Sequence, residues 1–219
     1  MKRLLDIFFS GVAILVFSPV LAPIVCVLRI TGEGKVFYKQ TRVGKNGNLF
    51  ELIKFATMLE NSPNIGSGEI TIKNDPRVLP FGKFLRKSKI NELPQLWNIF
   101  IGDMSVVGPR PMVPNTYSRY PTEAQMIINT VRPGLTGIGS IIFRDEERFL
   151  DGCEDAAEFY NENIMPHKCD LELWFVKNNS FWLYIKIILI TAYVVFFPST
   201  KIVDKAFTGI PNLPASLIE

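Results

Sequence analysis

The sequence of 219 residues contains one histidine, His167, and only three cysteines, Cys26, Cys153 and Cys169. A lone imidazole gives no histidine-based triad, and His167 reads as a structural residue. Without a CxxC pair or a histidine at ligand spacing, neither a zinc site nor a disulfide framework is indicated, which suits a reducing compartment. A Walker loop, a dinucleotide-binding glycine fingerprint and internal repeats are all missing, so the common nucleotide-binding folds are not indicated. The excess of charge of one sign is also small, with a formal net charge of +3. The basic residues cluster around apolar segments, an arrangement that suits an anionic bilayer surface better than nucleic acid.

Apolar residues are plentiful, at 47% of the chain, with a positive mean hydropathy of +0.19. They concentrate near the two ends. From Ile7 to Leu28 no residue is charged, and a helix of that length reaches across a bilayer core of ~30 Å. The run is long for a signal peptide and lacks a convincing small-residue cleavage site, so retention in the mature protein is expected. Ser18-Pro19 lies at its centre, where proline removes a helical hydrogen bond and predicts a kink or break. The Ser18 hydroxyl can return to a freed carbonyl, and Pro23 weakens the helix again a turn later. Lys2 and Arg3 precede the run, and Arg29, Lys35, Lys39, Arg42 and Lys45 follow it. The positive-inside rule therefore asks both ends to face the cytoplasm. A re-entrant hairpin of two half-helices meets both demands, and an ordinary kinked transmembrane helix is the alternative.

Beyond the anchor, residues 36–40 and 50–55 read as strands of a β-hairpin joined by the glycine-containing turn at 43–48. Residues 61–74, rich in Ser, Pro, Asn and Gly, read as an exposed loop that could order on ligand binding. Phe81, Phe84 and Leu85 alternate with Lys83, Arg86, Lys87 and Lys89, which on a helix sets aromatics beside cations at a headgroup layer, or makes a solvated charged face over an ordinary core. Asn91 and Pro94 suggest a helix start, with Leu93, Leu96, Trp97 and Phe100 as its packed face. Gly108-Pro109-Arg110-Pro111 is a proline-held loop that presents one guanidinium with little freedom, well suited to phosphate. Arg132 and Arg144 add donors that could reach a pyrophosphate or serve structural ion pairs. Residues 181–197 form a short apolar helix, lying along the interface or docked on the core, with Trp182, Tyr184 and Tyr193 at headgroup level.

Residues 85–98, Leu-Arg-Lys-Ser-Lys-Ile-Asn-Glu-Leu-Pro-Gln-Leu-Trp-Asn, with 102–111, Gly-Asp-Met-Ser-Val-Val-Gly-Pro-Arg-Pro, closely resemble the signature of the bacterial sugar transferases, the monotopic phosphoglycosyl transferases. Blocks at 36–47, 54–58, 75–78 and 132–137 extend the resemblance from Met1 to about Phe197. It implies an α/β fold: a small cytoplasmic α/β domain (32–200) behind a re-entrant helix-break-helix anchor (1–31) that breaks at Ser18-Pro19, with interfacial amphipathic helices and a C-terminal tail (201–219). The implied reaction moves a sugar-1-phosphate from a UDP-sugar to undecaprenyl phosphate with Mg²⁺, releasing UMP at the cytoplasmic face of the bacterial inner membrane. The implied partners are membrane lipids and downstream glycosyltransferases, and a homodimer is plausible on general frequency. Glu92 is the implied metal ligand or catalytic carboxylate, with a helix-start glutamate as the plain alternative. Arg86 and Arg110 are the implied phosphate ligands, and Asp103 is a second candidate for the metal. The sequence departs from the family at two places. Asn91 stands where the family dyad has its nucleophilic aspartate, and Ala56 stands where the family commonly has arginine. A neutral amide is a poor nucleophile, which leaves attack by Glu92, direct attack by the acceptor phosphate, recruitment of Asp103, or a weak or inactive relative.

Overall fold

The computed structural model describes residues 1–65, 75–150, 153, 155–197, 206–214 and 217. The chain opens with a helix of 29 residues, α1 (Lys2–Ile30). It is followed by an antiparallel hairpin of β1 (Phe37–Val43) and β2 (Leu49–Phe55). Next come α2 (Pro80–Lys87), a single 3₁₀ turn at Ile90–Glu92, and α3 (Gln95–Ile101). β3 (Ser105–Val107) pairs in parallel with β4 (Gly134–Thr136) across two short helices, α4 (Pro114–Tyr117) and α5 (Thr122–Ile128). After α6 (Ile138–Ile142), α7 (Ala156–Phe159) runs through a π-helical turn into α8 (Met165–Lys177), and α9 (Phe181–Phe196) follows. This mixture of helix and sheet agrees with the α/β expectation, and the hairpin lies within a few residues of its predicted place. Of the loop expected at 61–74, residues 66–74 lie outside the described residues. Ser62 of its first part is buried, and its carbonyl accepts from the buried Arg77.

The main core lies between β3, α6, α8 and α9, where Ile138, Leu171, Phe175, Tyr184 and Ile187 meet. Phe207 and Leu217 pack into it as well. A second cluster joins Leu52 of β2 to Leu96 and Ile99 of α3 and to Ala13 and Ile14 of α1. A third joins Ile24 and Leu28 of α1 to Phe55 and Leu85.

Helix α1 is continuous through Ser18-Pro19, in place of the expected break. Pro19 has no amide for the Leu15 carbonyl one turn back. The Ser18 hydroxyl donates to that same oxygen at 2.8 Å, which keeps the turn satisfied without a break. Both ends of α1 are tied to the domain. Arg3 donates to the Ile99 and Phe100 carbonyls at the C-terminus of α3, a favourable place for a cation. The buried Asp6 carboxylate accepts from Ser105 Oγ, the Val106 amide and the Tyr184 hydroxyl, all within 3.0 Å. Residues 15–20, between the docked ends, are exposed on every side of the helix, and Leu15 is 75% exposed.

Two aromatic expectations are corrected. Trp97 and Phe100 stack on one another at 5.8 Å but remain exposed, because the buried face of α3 is Leu96 and Ile99. Tyr184 is buried and serves Asp6, whereas Trp182 and Tyr193 of the same helix are exposed.

Candidate active site

The hairpin supplies the floor of the site. In its register Tyr38, Gln40 and Arg42 of β1 oppose Lys54, Leu52 and Phe50 of β2, and side chains two apart share a face. Leu52 and Lys54 consequently point the same way, and the Lys54 side chain is largely covered. Arg42 is fixed on that face through donation to the Pro111 carbonyl at 3.1 Å and to Gln40 Oε1.

The carboxylate arrives from the turn after α2. Lys89 adopts φ 58°, a left-handed conformation that costs a non-glycine residue and reverses the chain between Arg86 and Glu92. Asn91 is not the expected helix cap, because α3 starts only at Gln95, after Pro94, and has no side-chain cap. Asn91 is instead buried in the 3₁₀ turn, and its Oδ1 has no hydrogen-bond partner among the described residues. Glu92 faces Lys54 at 4.0 Å.

The third wall is the Gly108–Pro111 loop. Its glycines are explained by close backbone contact, since a Cβ on Gly108 would sit 2.3 Å from the Arg132 carbonyl and one on Gly134 would sit 2.1 Å from the Gly108 nitrogen. Only glycine lets β3 and β4 come together this tightly. Arg110 follows directly, with an exposed side chain and its amide tied to Glu172 of α8 at 3.1 Å.

Arg42, Lys54, Glu92, Gln95, Arg110, Gly134 and Leu135 line a narrow cleft. Burial, above all, drives the Lys54 ammonium down to about 7; Glu92 opposes this and Arg110, Arg42 and Arg86 reinforce it. Burial raises the Glu92 carboxyl, but Lys54, Arg110, Lys89 and Arg86 together outweigh it and hold the acid below its ordinary range. Glu92 is therefore anionic at neutral pH within an excess of cations, a field suited to a ligand carrying several negative charges. A larger surface depression, lined by Cys153, Asp155, Glu158 and Glu162, has the opposite sign and repels such a ligand.

Among the residues expected from sequence, Glu92 and Arg110 line the cleft, and Arg86 contributes to the field on Glu92. Arg86 also contacts Met58 Sδ. Three others are used elsewhere: Arg132 Nε donates to the Gly102 carbonyl, Arg144 donates to the Val194 carbonyl of α9, and Asp103 accepts from Asn98 Nδ2. None of the three lines the cleft. Ala56, the other departure, is buried beside Phe55 under α2. Sequence reasoning passed over Lys54 and Arg42 as site residues, although a lysine at an inward strand position was a readable signal.

Among the described residues, no group of three or more His, Cys, Asp or Glu side chains is placed to hold a metal. Magnesium does not require one, because it is commonly bound by one or two carboxylates together with substrate phosphates and water. Glu92 is anionic and the buried Asn91 Oδ1 is an oxygen without a donor among the described residues, so the pair fits a hard cation that arrives with phosphate.

The model of the family described as Bacterial sugar transferase matches residues 1–198. An uncharacterized sugar transferase of Haemophilus influenzae is 34% identical over 209 residues, covering 89% of this chain and 41% of that protein. The UDP-glucose:undecaprenyl-phosphate glucose-1-phosphate transferase of Klebsiella pneumoniae is 34% identical over 88% of this chain and 39% of its own length. The exopolysaccharide production protein ExoY of Rhizobium meliloti is 38% identical over 66% of this chain and 70% of its own. The chain thus spans about two fifths of the first two relatives. With a match over residues 1–198, this chain belongs to the bacterial sugar transferase family.

Proposed function

We propose that the protein transfers a sugar-1-phosphate from a UDP-sugar to undecaprenyl phosphate, an opening membrane step in surface polysaccharide or glycoconjugate assembly. The observation that carries this reading is the anionic Glu92 set among Lys54, Arg42 and Arg110 in one cleft. In the transfer, the bond between the sugar-bearing phosphorus and the UMP oxygen breaks, and UMP leaves with the electron pair. A new P–O bond forms to the acceptor phosphate. Arg110 holds the diphosphate oxygens as a forked donor, while Arg42 steadies the loop through the Pro111 carbonyl and, with Lys54, adds positive charge beside them. Glu92 is the carboxylate at the cleft, and with Asn91 it would hold Mg²⁺, whose charge offsets that on the transferring phosphoryl oxygens.

The lipid acceptor requires a membrane next to the cleft. Helix α1 is long and apolar enough to cross one, yet both its ends are docked on the domain while residues 15–20 stand clear. This pattern supports a helix that rests in the cytoplasmic side of the inner membrane with residues 15–20 in contact with lipid, since a straight span would have to release one end. The flanking cations agree.

Incubation of the purified protein with UDP-sugars, Mg²⁺ and undecaprenyl phosphate is expected to release UMP, and Glu92→Gln is expected to abolish the release. Release of UDP would instead mean glycosyl transfer with the phosphate retained on the nucleotide. Failure with every donor would favour a non-catalytic membrane scaffold.

A further inference from the structure

Glu172 lies on α8, outside the cleft, and is only 4% exposed. Its Oε1 accepts the Arg110 amide at 3.1 Å, while its Oε2 makes no hydrogen bond among the described residues. A buried carboxylate with one oxygen unsatisfied is a poor contributor to stability, and an apolar side chain between Leu171 and Phe175 would pack at lower cost. Burial raises the Glu172 acid to about 7 even though the Arg110 hydrogen bond, Lys168 and the Arg110 charge all favour its anion. Nor is the nearest ammonium devoted to it, since Lys168 is paired with Glu146 at 2.5 Å and lies 3.4 Å from the Tyr160 hydroxyl. The surroundings nonetheless make room for it: a Cβ at position 139 would lie 2.8 Å from Oε1, and α6 carries Gly139 there.

The contact matters because of what it anchors. The Arg110 side chain is exposed at the cleft, so the hold on its backbone helps decide where its guanidinium reaches. Flanking Pro109 and Pro111 fix their own φ angles and have no amide to offer. The Arg110 amide is therefore the hydrogen-bond donor that this stretch of the loop has available, and Glu172 accepts it. On the other side of the loop, Arg42 donates to the Pro111 carbonyl. The loop is gripped from the floor by a cation and from behind by an anion.

We infer that Glu172 is a positioning residue, which holds the root of Arg110 so that its guanidinium meets the donor diphosphate in a fixed orientation. This rests on the proposed reading of the cleft as a diphosphate site, and it adds a residue from an element that forms none of the cleft lining.

The test is a double-mutant cycle on Glu172 and Arg110, read by UDP affinity in Mg²⁺ buffer and by UMP release. Glu172→Ala is expected to weaken UDP binding about tenfold, the scale of one hydrogen bond to a charged acceptor. In an Arg110→Ala background the same change should cost almost nothing further, because the group it positions is gone. Glu172→Gln keeps an acceptor at the same reach and should restore most of the affinity. Gly139→Ala crowds Oε1 while leaving Glu172 itself unsubstituted and should reproduce part of the defect, which keeps the test open if the Glu172→Ala variant does not fold. Additive losses in the cycle, or a glutamine variant as impaired as alanine, would overturn the inference. Coupled losses of UDP binding without UMP release from any donor would uphold it and remove the proposed transfer reaction instead.

Discussion

Replacing Lys54 by methionine is expected to make the protein more stable and at the same time inactive. Lys54 releases its proton near 7, where an ordinary lysine does so at 10.5. Each tenfold loss of proton affinity corresponds to about 1.4 kcal/mol, so holding this ammonium in the fold costs on the order of 4 kcal/mol at pH 7. The sign follows from proton counting. Between about 7 and 10.5 the unfolded chain binds the Lys54 proton and the folded chain does not, so stability rises with pH across that window. Below 7 the full cost is present, and above 10.5 it has vanished. Methionine fills a similar volume without charge, so Lys54→Met should raise Tm at pH 7 by about 10 °C for a chain of this size. The gain should shrink steadily toward pH 10.5. Thermal unfolding in detergent with EDTA, followed across pH 6.5 to 10.5, reads this directly, since the chelator leaves only the protein's own charges acting on residue 54. UMP release by the same variant should fall about a hundredfold with the loss of a cation at the diphosphate. A methionine variant less stable than the parent at pH 7, or a stability difference independent of pH, would refute the electrostatic account of the cleft.

Asn91→Asp places a carboxylate beside Glu92 and is expected to raise turnover, or to allow trapping of a phosphosugar adduct by mass spectrometry; unchanged or lower turnover would mean that the site is built around the amide. Asp6→Ala strands three donors at Ser105, Val106 and Tyr184, so a loss of about 3 kcal/mol is expected. Proteolysis should then cut near the N-terminal end of α1 more readily, and an unchanged cleavage pattern would count against the docked end. Gly134→Ala drives a Cβ to 2.1 Å from the Gly108 nitrogen, and the resulting shift of the Arg110 loop should cut UDP affinity at least tenfold. Wild-type affinity in that variant would show that the tight strand pairing does not set the loop.

The hairpin was readable because alternating residues between turn glycines have few other uses, and the Ser18-Pro19 pair was readable as a local exchange of one donor for another. Arg110 was singled out by its proline-held loop and Glu92 by the resemblance to the family signature, and both line the cleft. Other features required the fold. Asp6 and Tyr184 are 178 residues apart, and no periodicity links them. Asn91 resembles a helix cap, because Pro94 marks a helix start in either case, and only the 3₁₀ turn shows the amide buried. Arg132 and Arg144 offer the same donors as Arg110, and only placement reveals that carbonyls of Gly102 and Val194 take up one donor on each.

The residues that eluded sequence reasoning share a physical trait. Lys54, Asp6, Glu172 and Lys168 are charged groups in positions where burial works against the charge, and a reading built on apolar periodicity assigns such residues to the surface by default. Pattern recovers the positions where sequence and burial agree. Where they oppose each other, as at Lys54, a charge is retained that water cannot fully screen, which suits the proposed binding of a diphosphate. A lysine or glutamate at an inward register position of a strand or helix is therefore a sequence feature to weigh as functional; in this chain it applies to Lys54 on β2 and to Lys168 and Glu172 on α8, and substitution of Lys54 and Glu172 tests the site most directly.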